Sequence, residues 1–422
     1  MRVLMVSECP WAPTSMGKVT LWLVQGLKEL GFDVKVVCFA GVATMFGRGL
    51  RFRAAHSCCD WARNVLEKYV EVEVYPWCGN LAQHLYDIGG ADIVLLYGTP
   101  YAPPLSEILP QCREIGVPCL GYFLNESLTL PPEYALHVLN VHGFAAPTEF
   151  VRRTIIDGCV HAGFRRDVFE ERTFVVYHGI DHDLYRPEVC SELGRLFPPE
   201  LFIVGTLGKN MIRKNLFALL MAVATLPEHL RERIGVAAML IQYGAGDPKW
   251  NIEATLSLVE MKTGWRMVRE RTFFTSEPFT SMGLTEREVL QIYCSVDLFA
   301  FPSDGEAFGL PPLEAAAVGK PIVVSAHPAL AEVWGEALPE DAIVPCEPYV
   351  VPEGLELCRP DYRALSRAIA RAMEDRRWAE EVARRAHERA KAFTYREMAR
   401  RMARALEEAA SFRSVLADAA KG

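Results

Sequence analysis

The 422-residue sequence has no run of about 18 uncharged apolar residues, which argues against a membrane-spanning helix. Its opening, MRVLMVSECPWAP, is apolar too briefly for a secretory leader, because Glu8 and Pro10 interrupt it. It reads instead as a buried first strand. A basic excess is also missing: 45 Lys and Arg stand against 53 Asp and Glu, a formal charge of -8, which argues against general nucleic-acid binding. The 12 cysteines include no Cys-x-x-Cys pair, and no histidines cluster at metal spacing. They are expected to be reduced, mostly buried thiols of a cytoplasmic protein, with the vicinal Cys58 and Cys59 mere helix neighbours.

Two familiar phosphate fingerprints fail on single residues. In PTSMGKVT, Val19 stands where a P-loop needs Ser or Thr, and Ala12 where it needs its first glycine. In YGAGDPK, Lys249 occupies the place of the third glycine of a dinucleotide fold, so a nicotinamide cofactor has poor support. No Asp-x-Asp pair falls at a strand end; Asp181-His182-Asp183 lies in a connecting segment. No repeat of fixed period is present.

What is present is an alternation of short β-rich runs with helical patterns. The runs are RVLMVS, DVKVVCF, VEVEVY, ADIVLLYG, VPCLGYF, VHGFAAP and TFVVYHG, and then FIVGTLG, VAAMLIQYG, RTFFTS, VDLFAFPS, PIVVSA and DAIVPC. Between the first two lies GKVTLWLVQGLKELGFD, apolar at helical spacing and closed by Gly31. Such βαβ units predict parallel sheets flanked by helices. The pattern restarts after the polar, proline-bearing HDLYRPEVCSELGRLFPPEL, giving an α/β chain of two doubly wound, Rossmann-like domains, 1–190 and 200–395. Helix rich in Arg and Ala follows Asp361. Ligands of doubly wound domains bind where strand ends meet helix starts, so the cleft between the two halves is the expected site.

Two segments carry chemistry. FIVGTLGKNMIRKNLFALL ends a strand in a turn with Lys209, Arg213 and Lys214 before a helix, a combination suited to an anion, although basic turns are also common on plain surfaces. PSDGEAFGLPPLEAAAVGKP places Glu306 in a loop after a buried strand, and then Glu314 on the first turn of a helix closed by Gly319. Phe308, Gly309 and Leu310 would offer backbone N–H groups there, with Gly309 removing a Cβ that would hold a ligand away. The plain alternatives are solvent exposure for Glu306 and complementarity to the helix dipole for Glu314. A glycosidase would also use two carboxylates, across a glycosidic bond. A strand-to-helix turn beside a phosphate-type helix start suits holding both ends of a sugar nucleotide better.

EAFGLPPLE resembles the E-x7-E motif of retaining family 4 glycosyltransferases of the GT-B fold, with Ala307 in place of a glycine. GKNMIRKN is similar to that family's donor-phosphate loop, with Lys209 for Arg and Met211 for Gln. VVYHGIDHDLYRPE resembles the end of its first domain, with Tyr177-His178 for Pro-Asn, and FTYREMARRMARAL its closing helix. The likeness covers nearly the whole chain and is strongest from Gly205 to Gly319. It implies two Rossmann-like domains facing across a cleft, with 396–422 returning to the first. By the same resemblance Glu306 contacts the donor sugar, Glu314 holds the ribose, and Lys209, Arg213 and Lys214 neutralise the diphosphate. Phe308, Gly309 and Leu310 then serve sugar and phosphates through their N–H groups, and Gly17 lets the backbone of the first domain approach the diphosphate. Fixed cations and amides can stabilise a departing nucleoside diphosphate without a metal. No cofactor is implied beyond the nucleotide-sugar donor, with a UDP or GDP base left open.

One departure bears on donor choice and activity: relatives often carry a histidine after the strand matching VPCLGYF, where this chain has Asn125 and Glu126, with His137 and His142 nearby. A basic, aromatic stretch from Arg48 to Lys68, with Arg51, Arg53, Arg63, Phe46, Phe52 and Trp61, reads first as solvated surface and second as a peripheral membrane contact. The resulting expectation is a cytoplasmic, retaining hexosyltransferase acting from a nucleotide sugar on a hydroxyl acceptor. Its rivals are a non-catalytic nucleotide-sugar-binding or scaffold protein and a nucleotide-sugar epimerase on the same fold.

Overall fold

The structure, a computed structural model, describes residues 1–12, 14–40, 50–52, 72–241, 250–274 and 284–412. It divides into two compact units, one of Met1–Gly179 with Val351–Glu356 and Phe393 onward, the other of Ile180–Val350 with Leu357–Ala392. Each is built on its own sheet.

In the first unit eight strands run in the order β3-β4-β2-β1-β5-β6-β7-β8. They are β1 Arg2–Glu8, β2 Asp33–Ala40, β3 Leu50–Phe52, β4 Val72–Pro76, β5 Ile93–Gly98, β6 Cys119–Phe123, β7 Gly143–Ala146 and β8 Thr173–Val175. Every pairing is parallel except β3 with β4. β1 sits between β2 and β5, so Leu4, Met5 and Val6 are fully buried, as an inner parallel strand covered on both faces requires. Thr14 caps the helix Ser15–Glu29 by accepting from the Gly17 N–H at 3.0 Å, and Gly31, at φ 87°, follows its end. The closing helix Tyr395–Ala409 packs on it: Tyr395 donates to Glu29 at 2.9 Å, and a Cβ on Gly26 would stand 2.4 Å from that of Ala399. The short antiparallel β3 had no signal in the sequence. It holds Arg51 and Phe52, while the rest of the Arg48–Lys68 stretch, like Cys58 and Cys59, lies outside the described residues.

The second unit carries β9 Phe202–Lys209, β10 Ile234–Ile241, β11 Thr272–Phe274, β12 Leu298–Phe301, β13 Ile322–Ser325 and β14 Ile343–Val344, in the order β11-β10-β9-β12-β13-β14. All are parallel. The order reverses between β9 and β12, where Leu298 pairs with Val204 and Phe299 with Gly205. This is the switch point at which doubly wound sheets form their crevices. Gly205 lets β12 approach, since a Cβ there would lie 2.3 Å from Val296. A two-stranded hairpin follows, β15 Cys346–Val350 and β16 Glu356–Pro360.

Two expectations need correction. The segment 180–190, assigned from sequence to the first domain, belongs to the second unit. Its Tyr185 is fully buried and donates to Glu286, and Cys190 is bridged to Cys294 at the end of the helix Glu286–Ser295. The thiols are not all reduced either: besides Cys190–Cys294, Cys346 is bridged to Cys358 across the hairpin. The fold brings these pairs to Cα separations of 5.0 and 5.4 Å, inside the window a disulfide needs, at sequence spacings that announce no framework. Cys9, Cys38, Cys112, Cys119 and Cys159 are buried free thiols, and the thiol argument for a cytoplasmic location falls away. Among the described residues, no helix is long and apolar enough to cross a membrane.

Candidate functional site

The loops that leave β9 and β12 emerge side by side at the switch point of the second sheet. The first carries Arg213 and Lys214 in the turn Ile212–Lys214; the second runs from Pro302 to Gly309. They are laced together by the backbone, as the Asp304 N–H donates to the Arg213 carbonyl at 2.7 Å. Three donors converge on one oxygen of Glu306. Arg213 Nη1 reaches Oε1 at 3.0 Å, Ser303 Oγ at 2.6 Å, and Lys214 Nζ forms an ion pair with the same atom. The Glu306 side chain is only 8% exposed, so the plain alternative of a solvated loop carboxylate does not hold. Burial alone would raise its pKa, but the charges of Lys214 and Arg213 outweigh that and hold it below its ordinary value. Because the donors share Oε1, Oε2 is left without a partner among the described residues and can meet a ligand. Lys214 also lies over the Phe301 ring, 4.7 Å from its centroid.

Glu314 differs from its sequence assignment. The helix starts at Leu310, with Gly309 as N-cap at φ 94°, and its first turn holds no acid. Glu314 therefore stands one turn further in, beyond the reach of most of the dipole effect. It is buried, and its Oε2 accepts from the Tyr293 hydroxyl at 2.7 Å. Dipole complementarity does not explain a buried carboxylate at that position. Phe308, Gly309 and Leu310 form the turn into the helix, and no side chain caps it. Pro311 and Pro312 have no N–H, which leaves the helix start to the amides before them. A Cβ on Gly309 would stand 2.6 Å from Leu330, so packing as well as φ demands glycine. Gly319, at φ 81°, closes the helix as expected.

Not every expected residue joins this cluster. Lys209 ends β9 opposite Ile241 of β10 and is not among the donors to Glu306. Gly17 has a local reason to be glycine: a Cβ would stand 2.4 Å from the Ala12 carbonyl. In the first unit Asn125 is fully buried, donating to the Ser127 carbonyl and to Thr154 at 2.9 Å each and accepting from Tyr101 at 3.2 Å. His142 accepts from the Cys119 N–H at 3.1 Å, and burial, with Arg172, lowers its pKa. Both are structural anchors.

Sequence reading missed Ser303, Asp304, Asn215, Tyr293 and Tyr349. Asn215 adopts a left-handed conformation, φ 47°, caps the next helix through the Ala218 N–H, and donates to Asp304 Oδ1 at 2.6 Å. Ser303 and Asp304 stand three and two residues before Glu306, but nothing local marks them as its supports. Among the described residues, no group of three or more His, Cys, Asp or Glu is placed to hold a metal.

Residues 198–375 match the family described as "Glycosyl transferases group 1". The match falls almost wholly within the second unit. Over 142 residues, 33% of the chain, it is 33% identical to the serotype-specific mannosyltransferase WbdA of Escherichia coli, covering 16% of that protein. Over 183 residues, 43% of the chain, it is 28% identical to the O-antigen chain mannosyltransferase B of Escherichia coli, covering 40% of it. The chain thus spans less than half the length of these relatives. Its fold is that of Anabaena HepE in complex with UDP and glucose, at a TM-score of 0.67 and 16% identity, over 96% of this chain and 99% of that one. The fold is GT-B, two parallel-sheet α/β domains, and the matched residues 198–375 include Arg213, Lys214, Ser303 and Glu306.

Proposed function

We propose that the chain is a retaining, metal-independent glycosyltransferase that moves a hexose from a nucleotide-diphosphate sugar to a hydroxyl acceptor on a glycan, lipid or small molecule. The observation that carries it is the convergence of Arg213, Lys214 and Ser303 on one oxygen of buried Glu306, beside an uncapped helix start. Two fixed cations and the amides of the helix start meet at one place, the environment a diphosphate leaving group needs as charge develops on its oxygens. Glu306 Oε2 then accepts from a hydroxyl of the donor sugar, and Glu314 from the ribose. Lys209 adds charge on the diphosphate. Retention follows if the acceptor attacks from the face the diphosphate leaves, with a phosphate oxygen taking its proton. The reading calls for no cofactor, and the fixed cations supply what a metal would.

The mannosyltransferase relatives make a mannosyl donor the first to test, and HepE, bound to UDP and glucose, makes a glucosyl donor the second. The direct experiment measures transfer from GDP-mannose, UDP-glucose and ADP-glucose by the wild type, Glu306→Ala and Lys214→Ala. Undiminished turnover in both variants would show that the site is elsewhere. Locking of Asn125 by its neighbours, where relatives often carry a histidine, favours one second reading: a nucleotide-sugar-binding protein without turnover. Binding by calorimetry with no product against a broad acceptor panel would select it. A cytoplasmic site at the inner membrane face, reached through Arg48–Lys68, belongs to the same proposal and is tested by flotation with anionic liposomes.

A further inference from the structure

Asp304 stands where four remote segments meet. Its backbone N–H donates to the Arg213 carbonyl at 2.7 Å, and its own carbonyl accepts from the Cys358 N–H at 2.8 Å. One side-chain oxygen accepts from Asn215, and the other accepts from the hydroxyl of Tyr349. Tyr349 is in turn covered by the Arg359 guanidinium, 4.1 Å from its ring centroid, and the hairpin that carries both is closed by Cys346–Cys358. The carboxyl is buried, and neither of these side-chain hydrogen bonds goes to Glu306. It grips instead the turn from which Arg213 and Lys214 reach Glu306.

We propose that Asp304, held by Tyr349 of the β15–β16 hairpin, is a positioning residue for the donor site, fixing the Arg213–Lys214 turn against the loop of Glu306. The inference rests on the transferase reading and deepens it: the hairpin reaches the sugar-nucleotide site through Asp304, so the charge state of one carboxylate sets how well the cations are placed. The charged and titratable groups around Asp304 are Arg213 from the turn after β9, Tyr349 from β15 and Arg359 from β16, with Glu306 and its partner Lys214 in the loop beyond. Burial lifts the Asp304 pKa to about 6, against the hydrogen bonds from Tyr349 and Asn215 and the charges of Arg359 and Arg213. Donor affinity should therefore fall as pH drops through about 6, where the carboxylate that accepts from both donors is lost.

The test titrates the full chain with GDP-mannose, UDP-glucose and ADP-glucose from about pH 5 to about pH 8, since their diphosphate diesters do not themselves ionise near pH 6. Tyr349→Phe, which removes one hydroxyl, should weaken binding about 2- to 10-fold and move the midpoint of the acid limb to higher pH, because a bond that stabilises the carboxylate is gone. Asp304→Asn should weaken binding and flatten the limb. A purely structural role would change the unfolding midpoint but leave the pH midpoint of binding in place. If the wild type binds and both folded variants keep its affinity and pH profile, the inference is wrong. A wild type that binds none of the three donors removes the donor-site reading and this inference with it.

Discussion

Lys214 and Glu306 form an ion pair whose side chains are 11% and 8% exposed, joining the loops of two adjacent strands 92 residues apart. Such a pair binds the site together while costing desolvation of both charges. Removing one partner leaves the other charged and buried, with Arg213 as its nearest remaining counterpart or competitor. Lys214→Met should therefore destabilise the chain by about 3–5 kcal/mol, and Lys214→Met with Glu306→Gln by less than the two single changes added together. A double-mutant cycle in urea reads this directly; additive effects would show that the two charges do not interact in solution.

Tyr293 offers a cleaner separation of fold from function. Its hydroxyl donates to Glu314 at 2.7 Å in a fully buried setting, and its ring packs 5.3 Å from that of Phe299. Tyr293→Phe keeps the packing and deletes the donor, so it should cost about 1–3 kcal/mol of stability. It should also raise the KM for the donor more than it lowers kcat, because Glu314 is assigned to the ribose and not to the reacting carbon. A kcat loss with unchanged KM would place Glu314 at the chemistry instead.

The alternation of β-branched runs with helical patterns made the two parallel sheets legible, while their strand order came only with the fold. The neighbourhood of β9 and β12, and so the meeting of Lys214 with Glu306, is implicit in that order. Burial of Glu306 was not legible, since a charged residue in a Gly- and Ser-bearing loop reads as exposed until its counter-charges are in place. The hairpin CEPYVVPEGLELCRP escaped notice because its prolines read as loop and its cysteines fit no spacing rule. With it escaped Tyr349, and with Tyr349 the environment of Asp304, which is assembled from residues 215, 304, 349 and 358 by tertiary contact alone.

The Cys190–Cys294 bridge closes a span of 104 residues within the second unit, from the segment after Gly179 to the end of the helix before β12. Cross-linking so long a loop restricts the unfolded chain, and Cys190→Ser with Cys294→Ser should lower stability by about 2–4 kcal/mol. With dithiothreitol present throughout, so that Cys346–Cys358 is reduced in both, the wild type should then unfold at the urea midpoint of the double variant. If reductant leaves the wild-type midpoint unmoved and thiol titration finds both cysteines free beforehand, the bridge does not form in solution.

Two carboxylates of the site pull stability in opposite directions with pH. Glu306 has a folded pKa below its ordinary 4.5, so its contribution is present above that pH and is lost as pH falls through the lower folded value. Asp304 has a folded pKa of about 6 against an ordinary 3.8, so the fold is favoured while it is protonated and loses that advantage as pH rises through about 6. A shift of that size corresponds to roughly 3 kcal/mol between the two limits. Urea midpoints of the wild type should therefore decline on both sides of a maximum near pH 4 to 5 as far as these two groups decide it. Asp304→Asn should remove the decline between about pH 4 and 6, and Glu306→Gln the decline at lower pH. An Asp304→Asn profile parallel to that of the wild type would mean that Asp304 ionises in the fold as readily as in the unfolded chain. The cost of keeping it charged near neutrality is borne by the two hydrogen bonds from Asn215 and Tyr349, which are also what holds the cation-bearing turn in place.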